Sequence, residues 1–545
     1  MNHAFWKMCA IFAISIFIIR LLSVESTRVP KEPSRFVVTA SANQTYPFDD
    51  ISNSYAKQKI VELHNRGIIK GINEGQFLPN KSITRAEFIS MLGRALEIEP
   101  INSNIPIFRD VPKHSWAFGW VQSGAMLGII NGKDPTTFVP DATITREEAA
   151  ALLVRALQTD VSNYSTQDFR DAAIASPWAR SSIQTAQQLG LMRGYQGNFR
   201  PKDPITRQET AVVLHSVLAN PEWLKTDDKL PDGEVHLGWH YGITGDEYIK
   251  RVAKSGVINT MSPRWFFLNA DGSFTQDIDA SVLDWAKKNG KKVWPLVGNR
   301  FDREATHHLL SSLKMRTAAV NQLVTYAKSY KFHGINLDFE NIDPIDRANY
   351  SAFVAELAAA LHKENILLSV DVPVDVGTDW SEPYDYQVLG RHADYIVIMG
   401  YDQHWKGGPS AGSVSSISWL VKSVDDMIKR VPSKKVIVGL PLYTRDWYSK
   451  NGKITADDIT LAQSNQLLTA NKANVKWDSS VSQYVASYKR DGLTHTIWVE
   501  DSRSLNVKYQ TIRKKNVAGF AYWYVGGETP DVWQTIRNTM KHKSK

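Results

Sequence analysis

The sequence predicts a multidomain fold: an α-helical triple repeat, then an α/β barrel of eight strand–helix units, (β/α)8, carrying a small α+β insertion. Three observations predict it. A self-similar unit recurs with a period near 61 residues between positions 46 and 218. Short apolar runs alternate with helical patterns from 234 to 541. The stretch 450–515 is too long for one crossover, which calls for the insertion.

Composition bounds the rest. Charged residues are 22% and apolar residues 43% of the 545, which excludes wholesale disorder and a multi-span membrane protein. Lys7 precedes an apolar run, Met8 to Ile19, and Ala40-Ser41-Ala42 offers an Ala-x-Ala cleavage site, so residues 1–42 read as a secretory signal. The run is short for a membrane span. An uncleaved anchor is the other reading. The one cysteine, Cys9, lies in this segment, so no disulfide framework is expected. The net charge of +8 divides into +3 for residues 1–42, 0 for 43–231 and +5 for 232–545. No dense basic block interleaved with aromatics occurs, and no nucleic-acid partner, integral membrane partner, metal or cofactor is expected. Seventeen tryptophans suit sugar-stacking platforms or simply a large core.

The repeats occupy 46–100, 106–160 and 167–218. Phe48-Asp49-Asp50 returns as Phe108-Arg109-Asp110 and Phe169-Arg170-Asp171, and Tyr55 returns as Trp116 and Trp178. Thr84-Arg85-Ala86-Glu87 returns as Thr145-Arg146-Glu147-Glu148 and Thr206-Arg207-Gln208-Glu209. Each Thr-x-x-Glu is a capping box opening an apolar helix. Capping does not account for Arg85, Arg146 and Arg207, which are unfavourable to the helix dipole. Their recurrence points to a ligand role. Trp116 and Trp178 could stack on a sugar, Asp50, Asp110 and Asp171 could accept its hydroxyl protons, and the arginines could grip an acid group. The pattern Phe-x-Asp, aromatic, Gly, Phe-x-Pro, Thr-Arg-x-Glu resembles surface-layer homology modules. That resemblance implies a pseudo-threefold helical unit and non-covalent anchoring to a secondary cell-wall polymer of a Gram-positive-type envelope, with the three arginines matching the family's ligand-gripping position.

Residues 219–233 are polar with two prolines and read as a linker. Beyond it, strands are expected at 234–241, 258–268, 292–298, 334–340, 366–373, 395–401, 435–443 and 517–525. With period two, Gly334, Asn336, Asp338 and Glu340 share the inward face, while Ile335, Leu337 and Phe339 pack under helices. Polar groups on an inward face near a strand's C-terminal end read as chemistry in a barrel. Repulsion between two nearby carboxylates keeps one protonated, and Glu340, nearer the mouth, is the better general acid. The two stand too close to flank a bond as acid and nucleophile, so the nucleophile should come from elsewhere; an N-acetyl group of the substrate can supply it.

Several segments resemble family 18 glycoside hydrolases. His333 to Glu340 resembles Asp-Gly-x-Asp-x-Asp-x-Glu, with His333 and Asn336 replacing two of its aspartates. Met399-Gly400-Tyr401-Asp402, Gly439 to Trp447 and Gly519 to Trp523 resemble its sixth, seventh and eighth strands. The resemblance covers 234–541. It implies a TIM barrel with Glu340 as acid/base, Asp338 and Tyr401 holding the acetamido group, Asp402 supporting Tyr401, and Trp523 beneath the reactive sugar. Asn336, Met399 and Arg445 join the expected substrate-binding set, Arg445 being equally readable as a buried ion-pair residue. His404-Trp405 could line the cleft, and His307-His308 should face solvent. Asn-x-Asp-x-Glu and Ser262-Pro263-Arg264-Trp265-Phe266 resemble the branch of N-acetylglucosaminidases that process spore cortex and peptidoglycan. The expected protein is therefore a secreted, wall-associated retaining glycosidase acting on a glycan that contains N-acetylglucosamine. The rivals are a chitinase with the same anchor and a non-catalytic sugar-binding surface protein.

Overall fold

A computed structural model describes residues 46–159, 169–223 and 233–542. The expected secretory signal, and most of the expected linker, lie outside the described residues. Among the described residues no helix is long and apolar enough to cross a membrane.

Among the described residues, six α-helices fill the first third: α1 (Lys57–Asn65), α2 (Arg85–Ala95), α3 (Phe118–Met126), α4 (Arg146–Leu157), α5 (Arg180–Gln188) and α6 (Arg207–Leu218). Thr84, Thr145 and Thr206 each close a full capping box with the Glu three residues on. Glycine is required where Gly132 turns the chain, because a Cβ there would meet the Asp134 carbonyl oxygen at 2.2 Å. Short backbone bridges join Ser82 to Thr206, Thr84 to Thr143 and Thr145 to Pro204, so each repeat touches the other two.

The strands of the main sheet are β1 (Val235–His240), β2 (Thr260–Ser262), β3 (Arg264–Leu268), β4 (Phe274–Gln276), β5 (Lys292–Val293), β6 (Leu296–Gly298), β7 (Gly334–Asp338), β8 (Leu367–Pro373), β9 (Tyr395–Met399) and β10 (Val436–Pro441). The second sheet holds β11 (Tyr443–Lys450), β12 (Lys453–Thr460), β13 (Asn474–Asp478), β14 (Gln483–Arg490) and β15 (Leu493–Val499). The strand β16 (Gly519–Val525) returns to the main sheet. Pro263 divides β2 from β3, and Trp294-Pro295 divides β5 from β6; a proline has no N–H to give the ladder. Taking each divided pair as one strand, parallel pairing runs from β1 through β2/β3, β5/β6, β7, β8, β9, β10 and β16 and returns to β1. The sheet therefore curls round on itself. β4 hangs antiparallel on β3.

Helices α7 (Gly245–Ser255), α8 (Ala280–Lys288), α9 (Arg303–Ser311), α10 (Leu313–Tyr330), α11 (Arg347–His362), α12 (Tyr386–His392) and α13 (Ile417–Ile428) follow successive strands. The helix α14 (Leu461–Ala470) belongs to the second sheet, and α15 (Ser502–Arg513) and α16 (Pro530–Lys541) complete the outer layer. Two apolar layers result. Ile335, Leu337 and Phe339 join the outer one, against Tyr350 and Phe353 of α11. Leu237, Trp239, Trp294, Leu296, Val397 and Ile437 fill the inside. Gly334 is small because Trp294 Cδ1 would lie 2.8 Å from its Cβ.

Between β10 and β16 the second sheet runs β12-β11-β15-β14-β13, wholly antiparallel, with its own core of Tyr484, Ala486, Tyr488, Ile497 and Val499. The repeats dock on α15 and α16. Arg537 grips the Glu99 carboxylate with two donors at 2.7 and 2.6 Å, Asn538 exchanges two bonds with the Glu99 backbone, and Asn506 donates to the Met126 carbonyl.

Candidate active site

A cleft of about 850 Å3 opens where the C-terminal ends of the barrel strands meet, lined by Asp338, Glu340, Tyr401, Asp402, Arg445 and Trp523 among others. Strand ends are where a barrel can hang loops without disturbing its packed interior.

Glu340 stands just past the end of β7, and its backbone is clamped. Its N–H donates to Asn299 Oδ1 at 3.0 Å, and its carbonyl accepts from Asn299 Nδ2 at 2.7 Å. Tyr384 Oη donates to the neighbouring Phe339 carbonyl at 2.7 Å. Burial pushes the Glu340 carboxyl well above the ordinary carboxylate range, and the charges of Asp338 and Asp402 add to the effect. The group therefore carries a proton where ordinary glutamates have lost theirs. Burial also lifts Asp338, to about 6, against the opposing pull of the Arg264 guanidinium. Above that pH, Asp338 is the ionised neighbour of a protonated Glu340.

This arrangement fixes a pH dependence. If Asp338 must be ionised to hold a substrate N–H, kcat/KM rises about tenfold per pH unit below pH 6 and levels off above it. A profile flat from pH 4.5 to 7 contradicts that role.

Tyr401 is buried in the cleft wall beside Tyr443, Val414, Met399 and Trp523. Burial and the nearby carboxylates keep its phenol protonated well beyond the usual range, so it is a hydrogen-bond donor at every working pH. Trp523 lies edge-on to Trp239 and tilted against Tyr241, and it lines the cleft. The peptide bond after it is cis.

Two residues of the expected substrate-binding set are tied into the protein's own contacts. Asn336 is fully enclosed: its Oδ1 accepts from Trp239 Nε1 and Ser262 Oγ, and its Nδ2 donates to Ser369 Oγ and to Asp371 Oδ1 at 2.6 Å. It braces the floor from beneath and does not line the cleft. Arg445 is an ion-pair residue that lines the wall. It pairs with Asp402 at 2.9 Å and Asp458 at 2.7 Å and donates to the His404 carbonyl. Asp402 also accepts a hydrogen bond from Tyr443. Trp405 lines the cleft, and His307 pairs with Asp346 at 2.8 Å. Asn299, Asp371 and Tyr443 were missed from the sequence. Asp371 carried a visible signal, since it alternates with Ser369 on the inward face of β8.

The repeat arginines and aspartates make contacts within the protein that the sequence did not reveal. Arg85, Arg146 and Arg207 are almost wholly buried and stitch the repeats together. Arg85 donates to the Phe138 carbonyl, Arg146 to the Phe199 carbonyl and Arg207 to the Phe77 carbonyl, at 3.0, 2.8 and 2.6 Å. Each guanidinium also meets the capping glutamate of the next repeat: Glu148 at 3.2 Å, Glu209 at 3.1 Å and Glu87 at 3.6 Å. The three bonds close a ring. Asp50, Asp110 and Asp171 are likewise committed. Each accepts from two successive backbone amides, holding Leu78, Val139 and Arg200 at positive φ. Tyr55, Trp116 and Trp178 are different, because they stand 70%, 62% and 54% exposed.

A curled parallel sheet with an acid pair and an aromatic floor at its strand ends is the make-up of a glycoside hydrolase. The chain belongs to glycosyl hydrolase family 18, whose model matches residues 266–528, and it carries three S-layer homology domains, at 47–89, 107–150 and 168–211. The uncharacterized glycosylase YvbX of Bacillus subtilis is 31% identical over 52% of this chain and 85% of its own length. The match spans only 57–58% of two further curated relatives from the same organism. Among solved structures, the chitinase of Chromobacterium violaceum is 25% identical with a TM-score of 0.52, over 56% of this chain and 98% of its own. The spore cortex-lytic enzyme SleL of Bacillus megaterium is 27% identical with a TM-score of 0.51, over 56% and 73%. S-layer homology domains mark a protein attached at the cell surface or wall.

Proposed function

We propose that the protein cleaves β-1,4 bonds after N-acetylglucosamine in a peptidoglycan-type glycan, with retention of configuration, while its repeats hold it to a cell-wall polymer. The observation that carries the reading is that Asp338 and Glu340, at one strand end, line a single cleft with Tyr401 and Trp523. Glu340 gives its proton to the departing glycosidic oxygen. The substrate's acetamido oxygen bonds to C1 as the C1–O bond breaks, with Asp338 accepting the acetamido N–H and Tyr401 donating to its oxygen. Water then attacks C1, giving a proton to Glu340 as the bond from C1 to the acetamido oxygen breaks and the acetamido group is restored.

Peptidoglycan is favoured over chitin by the likeness to the spore cortex-lytic enzyme SleL together with the S-layer homology repeats; chitin is the second reading, supported by the likeness to the Chromobacterium violaceum chitinase. Incubating the protein with purified peptidoglycan and with chitooligosaccharides separates them. New reducing N-acetylglucosamine ends from peptidoglycan alone fit the first, and faster release from chitooligosaccharides overturns it.

For the anchor, we read the repeats as one pseudo-threefold unit whose grooves present Tyr55, Trp116 and Trp178 to the polymer, and the second sheet as an insertion walling the cleft. Changing all three aromatics to Ala should lower co-sedimentation with isolated walls at least tenfold, since each stacked ring contributes about 1 kcal/mol or more. Undiminished sedimentation contradicts the assignment.

A further inference from the structure

The floor of the cleft holds a third carboxyl group that the reaction as described does not use. Asp371 is on β8, one residue beyond the Leu337–Val370 pair that sets the register between β7 and β8. It is therefore level with Asp338 on the adjoining strand, about 4.8 Å away across the ladder. Both side chains point into the barrel and line the cleft. Asp371 Oδ1 lies 2.6 Å from Asn336 Nδ2, so an amide and a carboxyl group stand side by side, one on each strand, both almost wholly buried.

We propose that Asp371 is a positioning residue that acts through Glu340: its charge, once formed, holds the proton on Glu340 and extends hydrolysis to higher pH. This rests on the glycosidase reading above. Three carboxyl groups crowd one poorly hydrated floor, so their protons leave one after another. The charged and titratable groups facing Asp371 are Asp338 on β7, Glu340 beyond it, Tyr350 on α11 and Tyr401 after β9. The cation near this cluster is Arg264 on β3, which faces Asp338 and Glu340. Burial and the Asp338 charge keep Asp371 protonated well past the ordinary range, as they do Glu340. Loss of the Asp371 proton then places a new negative charge near Glu340 and raises the cost of ionising it. No bond forms or breaks at Asp371; its effect is through the field alone.

The test compares pH–rate profiles of the wild type, Asp371→Asn and the exchanged pair Asn336→Asp/Asp371→Asn. The exchange keeps one amide and one carboxyl group at the same two places, with their mutual hydrogen bond reversed. Asp371→Asn should bring the alkaline limb of kcat/KM down by about one pH unit, and the exchanged pair should bring it most of the way back. A merely structural Asp371 would lower the rate at all pH values without moving the limb. Superimposable limbs in wild type and Asp371→Asn overturn the proposal. Should Asp371→Asn fail to fold, the exchanged pair carries the test by itself, and a limb displaced by a full unit there overturns it. A wild type that hydrolyses neither glycan defeats the glycosidase reading, whereas an active enzyme with an unmoved limb defeats this inference alone.

Discussion

Replacing Glu340 with Gln should lower kcat on a glycan containing N-acetylglucosamine about 10³-fold or more, with sedimentation on isolated walls unaltered. The amide keeps the size of the side chain and cannot give up a proton to the leaving oxygen, and a positioned general acid contributes on the order of 10²–10⁴-fold. The loss should reach the upper part of that range, because Glu340 is built to be an acid: its backbone is held from both sides by Asn299, and its proton is kept by burial and the Asp338 charge. The repeats dock on α15 and α16, and none of their residues lines the cleft that holds Glu340. Turnover within tenfold of wild type would remove Glu340 from the acid role.

Replacing Arg146 with Ala should destabilise the protein by about 3–5 kcal/mol. The substitution strips Glu209 of a charged partner and leaves the carbonyls of Phe199 and Arg193 without their donor in a place water hardly reaches. Truncating one member of a buried charged network costs more than the pair contributes, because the remaining charge stays where it is. Denaturant unfolding of the whole chain measures the loss. Glu209 keeps Arg200 as a second partner at 2.6 Å, so the loss falls mainly on the two carbonyls. A change below about 0.5 kcal/mol, the size expected for an exposed arginine, would contradict the stitching role of Arg146.

What the sequence revealed, and what it hid, follows from the range of the forces involved. The alternation of Gly334, Asn336, Asp338 and Glu340 was legible because period two is local and strand faces are sorted by burial. The capping boxes at Thr84, Thr145 and Thr206 were legible for the same reason, as four-residue devices. The partner of Arg146 was not. The bond to Glu209 joins residues 63 apart, and nothing near either one says whether the guanidinium faces a ligand or the next repeat. Asp50 misled in the same way: its two backbone donors, on Phe77 and Leu78, are brought to it by a turn far along the chain. Asn336 was placed on the correct face but at the wrong depth, since Trp239, Ser262, Ser369 and Asp371 from three other strands close over it.

The central claim is that Glu340 works with the substrate's own acetamido group and not with a second carboxylate that activates water on the opposite face. The anomeric configuration of the product as first formed separates the two. Proton NMR of wild-type hydrolysis, followed before mutarotation, should show the new reducing N-acetylglucosamine end in the β form. An α product formed first would contradict the account.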